Sequence, residues 1–479
     1  MSRFREDRIF FPPPSGGRRE AVRFPRIRRP PEKQSGVSEE MRKEKRNRFG
    51  IGVLQKIPDE TGEVLCRREQ TSLSAGDFSG ARRRETPVPS GVFGKKAAET
   101  ALRFHKSLPE YRETPLISLS HLSGELGVGG IYVKDESWRF GLNAFKGLGG
   151  AYAMFRILCR RLGLDPEKTD FGTFQEAEIR ERVSQITFAT ATDGNHGKGV
   201  SWAAKLFGCS ARVFMPKGSS PARAQAIRKA GPAEVEITDE NYDGAVEMAR
   251  KKSEEQGWIL IQDTSWKGYE EIPLRIIQGY LTMASEAAGQ LKSEKKAPTH
   301  VFLQAGVGAM AGGVMAYLAE EYRESPPVFC VVEPETANCV FLSAERADGE
   351  ICSVEGNPDT IMAGLNCGTP CGVTWPILRD LPAFYFSCPD FVSAHGMRLY
   401  AHPQKGDPKI ISGESGAVTA GLTDLLLREK ELIEIRKRLH LNENSVVLLF
   451  NTEGDTDPEN YRSVVQEGAF PLPETPRGI

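Results

Sequence analysis

The chain has 479 residues, 39% of them hydrophobic and 8% aromatic, and a formal net charge of −1 at pH 7. That composition fits a globular protein long enough for more than one lobe, and so small a charge sets up no general attraction to nucleic acid or a membrane surface. No run of about 18 apolar residues occurs, so no transmembrane helix is expected.

The first segment, residues 1–47, is rich in Arg and Pro ("FFPPPSGGRREAVRFPRIRRPPEK") and lacks apolar periodicity. It cannot bury enough surface to offset the entropy of ordering, so a disordered extension is expected, with the folded protein over 48–479. It has no apolar core of a secretory signal, and Glu6, Asp7, Glu20 and Glu32 are unlike an organelle transit peptide. Nine cysteines, an odd number without a secretory signal, point to reduced thiols in a cytoplasm rather than to disulfides. Cys367 and Cys371 form a Cys-x3-Cys with no second pair at zinc spacing, so no metal site is expected.

From about residue 112 short β-rich runs alternate with helical stretches. "GIYVKDES" reads as a strand over 130–137, followed by a helix near 144–160 that contains "GLNAFKGLGGAYA" and Lys146. "ITFATATDGNHGKGVSWAAKLFG" reads as strand, Gly-rich turn and a helix over 197–207. "ARVFMPKG", "AEVEITD", "WILIQDTSW", "THVFLQAGVGAMAGGVMAYLAEEY", "VFCVVEP" and "VVLLFNTEGDTD" continue the pattern. Such alternation predicts βαβ units and parallel sheets, an α/β protein.

In open α/β sheets ligands collect where strands end and helices begin. Three such ends stand out. In "TATDGNHGKG" glycines flank Asn195 and His196; a plain turn with a capping Asp reads as well as a ligand loop. "QAGVGAMAGGV" runs from a strand into a helix whose first amides form an anion site, without the Gly-Lys-Ser/Thr of a P-loop. "FNTEGDTD" ends a strand in hydroxyl, amide and carboxylate groups. A lysine, a Gly-rich phosphate cup and an amide-bearing loop together suit one small phosphorylated cofactor, pyridoxal 5'-phosphate, with Lys146 as its Schiff-base lysine. Other residues stay open at this level. Asp135 and Glu136 read as caps of the next helix, His196 as a loop-ordering or a proton-carrying group, and Glu414 as a helix-start acid or a cofactor neighbour. Trp202, Trp258 and Trp266 read as core or pocket wall.

From about residue 104 to about 468 the chain resembles the diaminopropionate ammonia-lyases, fold type II pyridoxal phosphate enzymes related to threonine dehydratase and the tryptophan synthase β subunit. The resemblance is carried by "YRETPL", "VKDESWRFGLNAFKGLGGAYA", "FATATDGNHGKGVSWAA", "MPKGS", "QDTSWKGYEEIP", "THVFLQAGVGAMAGGV", "VEPETANC", "TIMAGLNCG", "IISGESGAV" and "NTEGDTD". It implies two lobes, each a mostly parallel twisted sheet flanked by helices, with the smaller lobe inserted at about 150–290, and a homodimer. It implies α,β-elimination of 2,3-diaminopropionate to pyruvate and two ammonia. Lys146 would bind the cofactor and then serve as base or acid. Asn195 would bond the ring oxygen, Gly306, Val307, Gly308, Ala309 and Met310 the phosphate, and Asn451 or Thr452 the pyridine nitrogen. Asn451 departs from the family pattern, which has a serine before "TEGDTD". Asp193 and Asp263 complete the catalytic set; a small residue replaces Asp193 in the dehydratases, whose β-hydroxyl substrates carry no second cation. A serine or threonine dehydratase and a non-catalytic pyridoxal phosphate-binding protein are the alternative readings.

Overall fold

The structure is a computed structural model that describes residues 47–58, 64–68, 91–192, 194–346, 348–356 and 358–474, with side chains except at 57, 58 and 64–68. The expected 1–47 extension lies, but for Asn47, outside the described residues, and so does Asp193. Twelve strands occur among the described residues: β1 Gly52–Pro58, β2 Val64–Arg68, β3 Leu116–Ser118, β4 Gly130–Asp135, β5 Thr187–Ala191, β6 Ser210–Met215, β7 Ala233–Ile237, β8 Ile259–Leu260, β9 His300–Gln304, β10 Val328–Pro334, β11 Phe384–Cys388 and β12 Val446–Asn451.

They make two sheets, of order β2-β1-β11-β10-β9-β12-β4-β3 and β7-β6-β5-β8. In the larger sheet β11, β10, β9, β12 and β4 run parallel, and the outer pairings β1–β11, β1–β2 and β3–β4 are antiparallel. The smaller sheet is parallel throughout. This is the α/β, fold type II arrangement that the alternating pattern and the resemblance imply.

Every residue of β4, β9, β11 and β12 is buried, which is why these runs read as nearly continuous apolar stretches. Lys134 in β4 is a buried cation, its Nζ 2.7 Å from Glu286. Arg139 joins the same buried group with its guanidinium 2.7 Å from both Glu136 and Glu286. Asp135 does cap the next turn, accepting from Ser137 N at 3.1 Å, whereas Glu136 belongs to the ion-pair group.

Element ends differ from the sequence reading for local reasons. The helix expected from 144 starts at Lys146 and runs to Leu162, because Asn143 is left-handed (φ 57°) and Ala144 is bridged to Glu453. The helix expected from 197 begins at Asn195. The "WILIQDTSW" strand stops at Leu260. Beyond it the Gln262 side chain does the pairing: Oε1 accepts from Ala191 N at 3.0 Å and Nε2 donates to Ala191 O at 3.0 Å.

The helices Lys146–Leu162 and Asn195–Phe207 pack where a β-carbon on Gly199 would lie 2.9 Å from the Lys146 carbonyl carbon. Main chain cannot yield as a flexible side chain does. Gly199→Ala is therefore expected to lower stability by about 1–3 kcal/mol and to displace Lys146. Thermal unfolding checks the first effect and residual turnover the second.

Candidate active site

A cavity of about 860 Å³ opens at the carboxyl ends of both sheets. Thr192 after β5, Pro216 after β6 and Asp263 after β8 reach it from the smaller sheet, and Gln304 of β9 and Thr452 after β12 from the larger. In the larger sheet β9 is the branch point, with β10 on one side and β12 on the other. A crevice at such a point is where parallel sheets place ligands.

Lys146 is set in the wall by the turn that follows β12. Phe145 N donates to Thr452 O at 3.1 Å, Gly454 N to Asn143 O at 3.0 Å, and Asn143 Nδ2 to Asp455 Oδ1 at 3.0 Å. From the other side Lys198 Nζ donates to Leu142 O at 2.8 Å. The Lys146 amine then lies 2.6 Å from Asp263 Oδ2 and 5.9 Å from the centre of the Tyr280 ring. Burial works against the ammonium, but the Asp263 carboxylate more than compensates and holds its pKa above the ordinary lysine value. Burial likewise pushes the Asp263 carboxyl up, and neighbouring His196 and Lys146 draw it down further, to about 2. His196 bonds Ile261 O through Nε2 at 2.8 Å and places Nδ1 3.7 Å from Asp263. Its burial lowers its pKa, so Lys146 is the cation of this group at neutral pH.

Across the cavity, Gly306, Val307, Gly308, Ala309 and Met310 all line the wall where the helix Ala309–Glu321 begins. The first N–H groups of a helix have no acceptor within it. Gly308 is left-handed (φ 80°), and a β-carbon there would lie 2.3 Å from Leu378 Cδ1; one on Gly306 would lie 3.0 Å from Cys367 Sγ. Only glycine leaves this cradle open.

Asn195 also faces the cavity, its Nδ2 donating to Glu453 Oε2 at 2.5 Å. Of the two candidates for a ring nitrogen, Thr452 lines the cavity. Its Oγ1 accepts from Gln304 Nε2 at 3.1 Å, which leaves the hydroxyl proton to donate. Asn451 is fully buried and turned into the sheet, its Nδ2 donating to Asp135 Oδ1 at 2.8 Å and Ile411 O at 3.1 Å. Glu414 proves to be both things the sequence left open: it is the first residue of the helix Glu414–Arg428 and a wall residue. Burial, and then the adjacent Glu453, raise its carboxyl to about 7. Trp202 is core, stacked on Phe140 with ring centres 4.4 Å apart.

The structure thus brings together Lys146, Asp263, Asn195, Thr452 and the 306–310 loop. An amine, an amide, a free hydroxyl proton and a glycine-kept helix start match the aldehyde, ring oxygen, ring nitrogen and single phosphate of pyridoxal phosphate. That donor set fits the cofactor. Sequence reasoning missed Glu453, Lys198 and Tyr280. Glu453 stood inside the quoted "FNTEGDTD", but an acid in a turn carries no signal of what it faces.

Residues 108–450 match the family described as "Pyridoxal-phosphate dependent enzyme". The chain is 50% identical over 369 residues to the diaminopropionate ammonia-lyase of Salmonella typhimurium, covering 77% of this chain and 91% of the relative. It resembles the crystal structure of the Escherichia coli diaminopropionate ammonia-lyase in complex with D-serine, with TM-score 0.74, 45% identity, and coverage of 80% of this chain and 95% of that one. The structure of the Escherichia coli enzyme in complex with an aminoacrylate-PLP azomethine reaction intermediate matches equally, at TM-score 0.74 and 45% identity over the same shares, 80% and 95%.

Proposed function

The chain belongs to the pyridoxal-phosphate dependent enzymes and, within them, to the diaminopropionate ammonia-lyases, and from that premise we propose that it eliminates ammonia from 2,3-diaminopropionate, yielding pyruvate and two ammonia. The observation that carries this reading is the Lys146–Asp263 contact of 2.6 Å in a cavity also lined by the glycine-kept helix start at 306–310. Among the described residues no helix is long and apolar enough to cross a membrane. We place the enzyme in the cytoplasm as a homodimer on the strength of the family resemblance, and the net charge of −1 supports a small-molecule substrate rather than nucleic acid.

Lys146, Asn195, Thr452 and the amides of 306–310 would hold pyridoxal phosphate. When bound, the cofactor supplies an electron sink that acidifies the hydrogen on the substrate's Cα. Lys146 provides the amine that carries protons to and from the substrate carbons, and Asp263 sets how tightly that amine holds its proton. With its own pKa near 2, Asp263 remains ionised throughout and acts as a fixed counter-charge. Thr452 offers a neutral hydroxyl rather than a carboxylate, so nothing from this residue promotes protonation of a ring nitrogen, which suits elimination over transamination. Asp193 is proposed as the acid–base group that meets the second ammonium. This rests on its place in "TATDGNHGKG", between Thr192 and Gly194, both of which line the cavity. An amine is a poor leaving group, and a positioned acid contributes on the order of 10²–10⁴ in rate.

The test is a substrate panel with the purified, cofactor-loaded protein, scored for ammonia and keto acid. Diaminopropionate is expected to lead, and outright preference for serine or threonine would replace this reading with a dehydratase. Asp193→Asn sharpens it. A charge-assisted pair is worth about 1.5–3 kcal/mol, so diaminopropionate turnover is expected to fall at least about tenfold. Slow turnover of serine, which has no second cation, should fall much less. Equal losses on both substrates would reduce Asp193 to a loop-shaping residue.

A further inference from the structure

The carboxylate of Glu453 is held in place more firmly than a turn residue needs. Its Oε1 accepts from Ser415 N at 3.1 Å, in the first turn of the helix Glu414–Arg428, and its backbone carbonyl accepts from Gly413 N at 3.1 Å. Its backbone also bridges to Ala144, two residues before Lys146. A β-carbon on Gly413 would come 3.0 Å from Glu453 Cγ, so only glycine there leaves the Glu453 side chain its place. The residue is 5% exposed, and its remaining oxygen, Oε2, takes the short 2.5 Å bond from Asn195 Nδ2, with Thr456 Oγ1 at 3.4 Å. That bond joins the helix after β5 in the smaller sheet to the turn after β12 in the larger one.

An asparagine amide has a donating and an accepting side of nearly equal shape, and its surroundings must choose which way round it sits. An ionised carboxylate accepts and cannot donate, so it binds only the NH2 side. Both oxygens of Glu453 act as acceptors here, Oε1 from Ser415 N and Oε2 from Asn195 Nδ2. We propose that Glu453 is a positioning residue that locks the Asn195 amide with its NH2 group toward the ring oxygen of the cofactor, where the second N–H can donate. The inference rests on the pyridoxal phosphate reading of the cavity.

The experiment measures the dissociation constant of pyridoxal phosphate for the full-length natural protein, Asn195→Ala, Glu453→Gln and the double variant. Gln keeps the size of Glu453 and an acceptor for Ser415 N, but it can present either an oxygen or an NH2 to Asn195, which removes the lock. Glu453→Gln is expected to weaken binding about tenfold when Asn195 is present, the equivalent of one hydrogen bond, and less than about twofold in the Asn195→Ala background. Equal losses in the two backgrounds overturn the proposal. The swap Asn195→Asp with Glu453→Gln restores a bond between the two residues with the donor reversed. It is expected to recover the melting temperature of the cofactor-free protein while cofactor binding stays weak. Recovery of natural affinity by the swap would show the contact to be structural only, and the swap also decides the matter if Glu453→Gln alone fails to fold. A natural protein that takes up no pyridoxal phosphate would instead overturn the reading of the whole site.

Discussion

Lys146→Ala is expected to abolish turnover while leaving a folded protein. The lysine is the first residue of the helix Lys146–Leu162, where alanine is the most favourable replacement for the backbone. What is lost is the amine 2.6 Å from Asp263, and His196, its Nδ1 at 3.7 Å, is too far to take that place. Two further lysines line the cavity, Lys198 and Lys217. Lys198 is engaged, its Nζ donating to Leu142 O at 2.8 Å. Borohydride reduction of the loaded natural protein followed by peptide mapping should therefore tag Lys146, and the variant should show no tag. A tag on Lys198 or Lys217, or turnover that survives the substitution, would displace the assignment of the site. The variant leaves the Asp263 carboxylate without its ammonium, so a loss of about 1–3 kcal/mol in stability is expected. A domain with about 5–15 kcal/mol in hand remains folded after that.

Asp263→Asn is expected to cost on the order of 10² in turnover with the cofactor still bound. The substitution keeps the shape and removes the charge that opposes the effect of burial on Lys146. Without it, burial dominates and the amine gives up its proton at lower pH. The alkaline limb of the pH–rate profile should accordingly move to lower pH, a shift that general damage to the fold would not produce. Stability carries a second signature. The Asp263 carboxyl sits at about 2 in the folded protein against an ordinary 3.8. A group depressed in this way stabilises the fold fully above its unfolded value and loses the contribution as pH falls through the folded one. In urea unfolding, the natural protein should exceed Asp263→Asn by a constant margin from about pH 5 to about pH 8, and the margin should close as the pH drops toward 2. A margin that persists in acid would mean that Asp263 acts through packing rather than charge.

Lys146, Asn195 and the 306–310 loop were legible in the sequence because each is a local event. A strand gives way to a Gly-rich turn and then to a helix, and the chemistry of a helix start is confined to a few consecutive residues. The parallel character of the two sheets was legible for a similar reason: strands buried on both faces leave unbroken apolar runs such as "VVLLF". The antiparallel β1–β2 pair and the β1–β11 junction were not, since they depend on which edge of the sheet stays open, a property of the assembled sheet and not of any segment. The different surroundings of Asn451 and Thr452 likewise waited for tertiary structure. Adjacent residues at a strand end point to opposite sides, and pairing of β12 with β4 turns Asn451 toward Asp135 and leaves Thr452 on the cavity wall. The contact between Lys146 and Asp263 spans 117 positions, and that between Asn195 and Glu453 spans 258. Sequence determines which chemical groups are available at each strand end; only packing the ends of two sheets against one cavity decides which of them meet, and meeting is what sets the charge on Lys146 and the direction of the Asn195 amide.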